Sequence, residues 1–197
     1  MQSVLEHRSP GRPRCEETRN AILRAAYEIL EEGGLDAFTI EAVAERSGAA
    51  KTTIYRWWPN RGALAIESFL ELSEKYAQFP QTESAIADLR TQMRRFARAL
   101  RGRIGQIVSS ILAEAQTCPE TRQAFVEGYI NPRRAALQQL IDRGVAQGEF
   151  RPNLPLNDIG DALYGSLLMR VLLRHAPLSD AAVDQLVDTT LQGLGAR

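Results

Sequence analysis

Between Thr39 and Arg61 the chain reads TIEAVAERSGAAKTTIYRWWPNR, two short helical patterns separated by a glycine and closed by a proline. Thr39 carries the short hydroxyl side chain that caps a helix N-terminus, and Phe38 with Val43 has the spacing of a hydrophobic staple across that cap. Ile40, Val43 and Ala44 supply one apolar face of a first helix. Ser47-Gly48 interrupts it, and Gly48 offers the positive φ of a tight inter-helix turn at no steric cost. A second helix is expected from about Ala50 to Trp58, because Ile54 and Trp57 or Trp58 recur at helical spacing and Pro59 cannot continue the run. Small Ala44, then Gly48, then Ile54 suit two helices that cross steeply: no bulk at the contact, a left-handed turn, and a plug that packs back. The stretch dictates a helix-turn-helix, and the rest of the chain must supply a core behind it.

The charge of this stretch is as informative as its spacing. From Arg46 to Ile66 the chain carries Arg46, Lys51, Arg56 and Arg61 and no acidic residue, although the formal net charge of the whole is +0. Basic character is therefore local, which argues against indiscriminate coating of nucleic acid. The outward side of the second helix presents Lys51, Thr52, Thr53, Tyr55 and Arg56. Cations, hydroxyls and aromatic rings match phosphate oxygens, base edges and thymine methyl groups, so double-stranded DNA is the expected partner. Residues 1–15, punctuated by Pro10, Gly11 and Pro13, read as a flexible arm. Arg8, Arg12 and Arg14 make it cationic, and an arm so placed can reach a minor groove or a phosphate.

Most of the rest of the chain reads as helix, broken at Pro80-Gln81-Thr82 and by a loop from Gly148 to Pro155. Glu16 to Gly34 is amphipathic, with Ile22, Ala26, Ile29 and Leu30 as its buried stripe and Gly33-Gly34 as its stop. Residues 16–61 thus form a three-helix unit, and residues 62–197 a second, all-helical region. A connecting helix is expected from Arg61 to about Phe79, and another from Glu83 to about Gly102. In the latter, Arg90, Arg94, Arg98 and Arg101 line the flank of a core stripe and are expected to form a solvated face. Glu114 and Gln116 are expected at the surface near the end of the next helix. Asn131-Pro132 lies inside a further helical pattern and should kink or restart it. Asn157 or Asp158 is expected to cap the following helix, and Ser179 the last.

Ile159 to Leu173 is apolar around most of its circumference, more than one chain's core needs. With the final helix it would form a four-helix interface against a second copy, through Leu163, Leu167, Arg170, Val183, Leu186, Val187, Thr190 and Leu191. A small, mainly apolar molecule could lodge in the helical region, where Met93, Phe96, Ile107, Ile111, Phe125, Tyr129, Tyr164 and Leu168 are the candidate lining. Cys15 and Cys118 make no disulfide framework, and His7 and His175 have no ligand-type neighbours, so neither metal nor cofactor is expected. Catalytic signatures are missing too: there is no nucleophile elbow, phosphate loop or paired histidine with carboxylate, and the chain does not read as an enzyme. No segment reaches the roughly 20 apolar residues of a membrane span, and the expected location is the cytoplasm.

The sequence resembles the TetR family of bacterial one-component repressors. The resemblance rests on EEGGLDAFTI, on VAERSGAAKTTIYRWWPNRGAL and on the long helix entered directly after Pro59-Asn60-Arg61; EGYINPRRAALQQLIDRGVAQGEFRPNLP resembles one branch of the family's effector domains. It implies an all-α homodimer that represses at a pseudo-palindromic operator, with heads about 34–36 Å apart, and that a small-molecule effector releases. It also implies base-edge contacts from Lys51, Thr52 and Tyr55, phosphate contacts from Thr53, Trp57 and Arg61, and a backbone contact at Thr39. Two positions depart from the pattern: Ala50 stands where the family often has a capping serine, and Trp57 where a tyrosine or histidine is usual. The competing readings are a ligand-independent DNA-binding protein acting with a protein partner, and a helical ligand carrier with vestigial DNA contacts.

Overall fold

The computed structural model describes residues 12–73 and 78–194, and the described residues form helices joined by short turns. Helix α1 (Arg12–Ala37) buries Ile22, Leu23, Ala26, Ile29 and Leu30 and is kinked at Gly34, whose φ of 69° only glycine adopts without strain. Arg12, Arg14 and Cys15 therefore belong to this helix and not to a loose arm; residues 1–11, Arg8 and His7 among them, lie outside the described residues. Helices α2 (Ile40–Ser47) and α3 (Lys51–Trp57) follow, joined through Gly48 at φ 70°, ψ 11°. The Thr39 hydroxyl accepts the Ala42 N–H at 3.0 Å, so the first cap forms as its sequence dictates. At α3 the Ala50 position makes no side-chain cap.

Helix α4 (Arg61–Ser73) carries Leu64, Ala65, Ile66 and Phe69 into the interior and joins this three-helix head to the body. Phe79, near which this helix was expected to end, is not helical, and residues 74–77 lie outside the described residues. The body comprises α5 (Ala85–Leu100), α6 (Arg103–Thr117), α7 (Pro119–Phe125), α8 (Asn131–Ala146), α9 (Leu156–Gly160), α10 (Ser166–Leu173) and α11 (Asp180–Leu194). One continuous apolar core runs from Leu23, Phe38 and Ile54 through Leu64 and Phe69 into Met93, Phe96 and Leu137. A displacement in the body thus has a packed route to the head.

Two π-helical turns punctuate the body, Val126–Ile130 between α7 and α8 and Asp161–Gly165 between α9 and α10. The first lies just ahead of Pro132, which sits in the first turn of α8 where its missing N–H is tolerated. The helical backbone continues through the π turn into α8, with Ile130 and Asn131 both in the α region. Asn157 and Asp158 lie inside α9, whose N-cap is Pro155, so neither caps it; Ser179 does cap α11, accepting the Ala182 N–H at 3.3 Å.

The arginine row of α5 is not a solvated face. On α11, Asp180, Asp184 and Asp188 recur every four residues, and the two helices run antiparallel with their rows in register. Arg90 pairs with Asp188 at 2.7 Å and Arg94 grips Asp184 in a fork at 2.7 and 2.6 Å. Arg98 and Arg101 both meet Asp180. Hydrogen bonds from Arg94 and Arg98 hold the Asp184 and Asp180 carboxyls below their ordinary range. The ladder fixes the register of α11 on the body.

A more buried acid anchors the start of α5. Burial alone would raise the Asp88 carboxyl, but the Thr82 hydroxyl and N–H and the Arg143 guanidinium outweigh that and hold it below the ordinary value. A carboxyl depressed in the folded state adds stability above its unfolded pKa and loses it as pH falls through the folded value. Asp88→Asn is therefore expected to lower stability by about 1–3 kcal/mol at pH 7. In urea melts the gap to the native protein should shrink as pH falls below the carboxylate range; a gap independent of pH would contradict an ionised Asp88.

Candidate nucleic-acid interface

Helix α3 is held from behind and bare in front. Ile54 is fully buried and Trp58 is 2% exposed, so the two clamp the helix on the head's core. The Trp58 indole N–H donates to Glu67, which also pairs with Arg19, and the Arg19 guanidinium lies 5.9 and 5.7 Å from the Trp57 and Trp58 ring centroids. On the opposite side Lys51, Thr52, Arg56, Tyr55 at 50% and Trp57 at 39% face solvent, with Thr53 half-buried. Six of the eight candidate DNA-contacting residues, from Lys51 to Trp57, thus come together on one short helix, and Thr39 is exposed at the start of α2.

Three of the four cations of this stretch, Arg46, Lys51 and Arg61, have carboxylate partners in the DNA-free chain, which the local sequence did not reveal. Lys51 pairs with Glu41 at 2.5 Å and holds its carboxyl below the ordinary range, and Arg46 pairs with Glu32 at 2.9 Å. Arg61 is turned toward the body, with Nη2 donating to Glu114 at 2.7 Å and Nη1 to the Phe38 carbonyl at 3.3 Å. Glu114 is thereby engaged with the head, while Gln116 bonds its own helix at the Leu112 carbonyl. Among the described residues Arg56 has no ion-pair partner. Arg103 reinforces the seam between head and body by donating to the Glu31 and Glu32 carbonyls at the C-terminal end of the main run of α1.

The eight candidate ligand-lining residues divide into two groups. Phe96, Tyr129, Tyr164 and Leu168 border a cavity in the body, with Phe96 meeting Tyr164 edge-on at 5.3 Å. Met93, Ile107, Ile111 and Phe125 are packed core and do not border it. Sequence reasoning missed Arg133, Arg134 and Asp161 at the same cavity.

The candidate interface for a second copy also divides. Leu163, Leu167, Val183 and Val187 are fully buried in the chain's own core and cannot reach another molecule. Leu186, Thr190 and Leu191 are partly covered, and Arg170 donates to the Pro177 carbonyl at 2.9 Å. On α10, Met169, Leu172 and Leu173 face outward, at 52%, 46% and 63% exposure.

Comparison with known proteins accords with this geometry. Residues 22–67 match the model of the bacterial regulatory proteins of the tetR family, and residues 79–190 match the tetracyclin repressor-like C-terminal domain. YdeS of Bacillus subtilis, an uncharacterised HTH-type transcriptional regulator, is 34% identical over 94% of each chain. A DNA-binding transcriptional repressor TetR of Mycobacteroides abscessus is 30% identical over 89% of this chain and 93% of its own. The crystal structure of the TetR family transcription regulator SCO0332 superposes with a TM-score of 0.82 at 34% identity, covering 91% of this chain and all of that one. With a helix-turn-helix head on a helical body and family matches across both, this chain belongs to the TetR family of bacterial transcriptional regulators, and not to an enzyme family.

Proposed function

We propose that the protein is a repressor that occupies a pseudo-palindromic operator as a homodimer and leaves it when a small molecule enters the body. Regulators of this family bind DNA operators and form dimers. The observation that carries the reading is the bare face of α3, where Lys51, Thr52, Tyr55, Arg56 and Trp57 stand outward on a helix fixed by Ile54 and Trp58. Such a face enters a major groove, and two of them related by a two-fold axis read two half-sites one helical turn apart. Lys51, Thr52 and Tyr55 would meet base edges; Thr53, Arg56, Trp57 and Arg61 would meet phosphates, with Thr39 at the flank.

The free chain holds Lys51 and Arg61 in ion pairs that DNA must replace. Lys51 leaves Glu41 for a base, and Arg61 leaves Glu114 for a phosphate. The second exchange makes DNA affinity sensitive to the seam between head and body, because Arg61 cannot serve both partners at once. Lys51→Ala should relax preference at one base position by about 1–3 kcal/mol of discrimination, whereas Arg61→Ala should weaken all sequences alike and lower the salt slope by about one contact. Glu114→Gln should act in the opposite direction, tightening binding a few-fold by removing the competing carboxylate. Fluorescence anisotropy on a selected site across a salt series measures all three. If Lys51→Ala leaves preference unchanged, the base-reading role fails.

A further inference from the structure

Resting on the reading of α3 as the groove-entering helix, we propose that Glu67 of α4 is the positioning residue of that helix. Its carboxylate bridges Trp58 and Arg19 and so sets the angle at which α3 meets DNA, which makes sequence preference depend on a residue that touches no base. The need for such a residue begins with the length of α3. Seven residues, Lys51–Trp57, are too few to hold a helical axis by their own backbone bonds, so neighbours must fix it. Its first turn has no side-chain cap at Ala50. Ile54 is fully buried and pins the middle, but an apolar contact has no direction and does not by itself fix roll or tilt.

Directional ties are few. Among the described residues the side chains of positions 51–58 make two hydrogen bonds, Lys51 to Glu41 and the Trp58 indole N–H to Glu67. On the groove-entering reading the first is given up when Lys51 turns to a base, so the second is the one polar tie that α3 keeps while it reads DNA. It lies at the end of the helix, where Trp58 has left helical geometry at φ −126°, ψ 112° and Pro59 follows. Glu67 is matched to two donors at once. Its Oε2 accepts from the indole and its Oε1 from the guanidinium of Arg19 on α1, whose carbon also lies 5.9 and 5.7 Å from the Trp57 and Trp58 ring centroids. One carboxylate thus joins α1, α4 and the end of α3. A carboxamide in its place has one acceptor oxygen and an NH₂ that would face a donor, so it must release one partner.

The sign of the charge separates this role from plain electrostatics. A carboxylate beside a DNA-reading helix repels phosphate, so neutralising it should, if position were unaffected, strengthen binding to every sequence alike. Loss of position acts the other way and on the preferred sequence only. Non-specific binding needs cations near phosphates, whereas base reading needs donors held to within about 0.5 Å.

The test uses the full-length protein, a site selected from random DNA by the native chain, and a scrambled duplex of equal length, with affinities read by anisotropy at one salt concentration. Glu67→Gln should bind the selected site about tenfold more weakly, the size of one lost base contact, while its affinity for the scrambled duplex holds or rises. Trp58→Phe keeps a ring in the core and deletes the donor; it should lose the same preference, and the double variant should lose no more than either single one, because both remove one bond. The Glu67 side chain is 35% exposed, so Glu67→Gln should fold even where Trp58→Phe does not, and it decides the matter alone in that case. The two tryptophans of the chain both stand at the end of α3, so indole emission reports on this joint, and acrylamide should quench it more in Glu67→Gln at a temperature where helix content is native. Preference unchanged in Glu67→Gln, an equal fall on both duplexes, or losses that add in the double variant would overturn the role of Glu67. A native chain that selects no sequence would sink the groove-entering reading and this role with it; a native chain that selects a site which Glu67→Gln still prefers would sink this role alone.

Discussion

Replacing Trp58 by alanine is expected to destabilise the protein by about 3–5 kcal/mol and to abolish DNA binding. Trp58 is 2% exposed, plugs the head's core beside Ile54 and donates its indole N–H to Glu67, which is held in turn by Arg19. Truncation opens a cavity in the head's core behind α3. The adjacent Trp57→Ala provides the contrast. Its ring is 39% exposed, so stability should change by no more than about 0.5 kcal/mol, while DNA affinity should still fall because the indole N–H and ring are removed from the groove-facing side. Denaturant midpoints and anisotropy on the same samples distinguish the two. If Trp57→Ala proves as destabilising as Trp58→Ala, the assignment of one ring to the core and the other to the interface is wrong.

The second large effect concerns assembly. Introducing Leu172→Glu and Leu173→Glu together is expected to give a folded monomer whose operator affinity falls by about 10²–10⁴-fold, since one head then binds without the gain from its linked mate. Both side chains are exposed in the single chain, at 46% and 63%, so the substitutions should leave the monomer's own stability nearly unchanged. Sedimentation at several concentrations, with affinity for a full site and a half-site, reads both consequences. A dimer that survives the double substitution would move the interface elsewhere.

The contrast between these two predictions shows what a sequence discloses. The head was legible because its signals are local: Thr39 caps within three residues, Gly48 supplies its own turn, and Ile54 with Trp58 repeats at helical spacing. Those signals do not depend on the rest of the chain. The ion pairs were not legible, because Arg94 meets Asp184 across 90 positions and Arg61 meets Glu114 across 53. Periodicity finds a row of arginines and a row of aspartates but not that they face each other. The cavity fell between these cases. Phe96, Tyr129, Tyr164 and Leu168 border the open space, but an inward-facing side chain has the same spacing whether it borders space or packed atoms, as Met93 and Ile107 do.

The outward apolar face of α10 was not legible either, for a specific reason. The π turn Asp161–Gly165 inserts an extra residue, so every side chain after it is rotated by about 100° from where α-helical spacing puts it. Leu167 went to the core, and Met169, Leu172 and Leu173 came to the surface. Single residues of this kind, invisible to a periodic template, decide which of two apolar faces a helix keeps for itself.

The central claim is that this chain reads a two-fold symmetric DNA sequence, and selection of the purified protein on a randomised DNA pool at near-physiological salt tests it most directly. Enrichment of an inverted repeat with half-sites about one helical turn apart is the predicted result. Recovery of no motif, with retention that vanishes as salt is raised, would leave only electrostatic attraction and would contradict it.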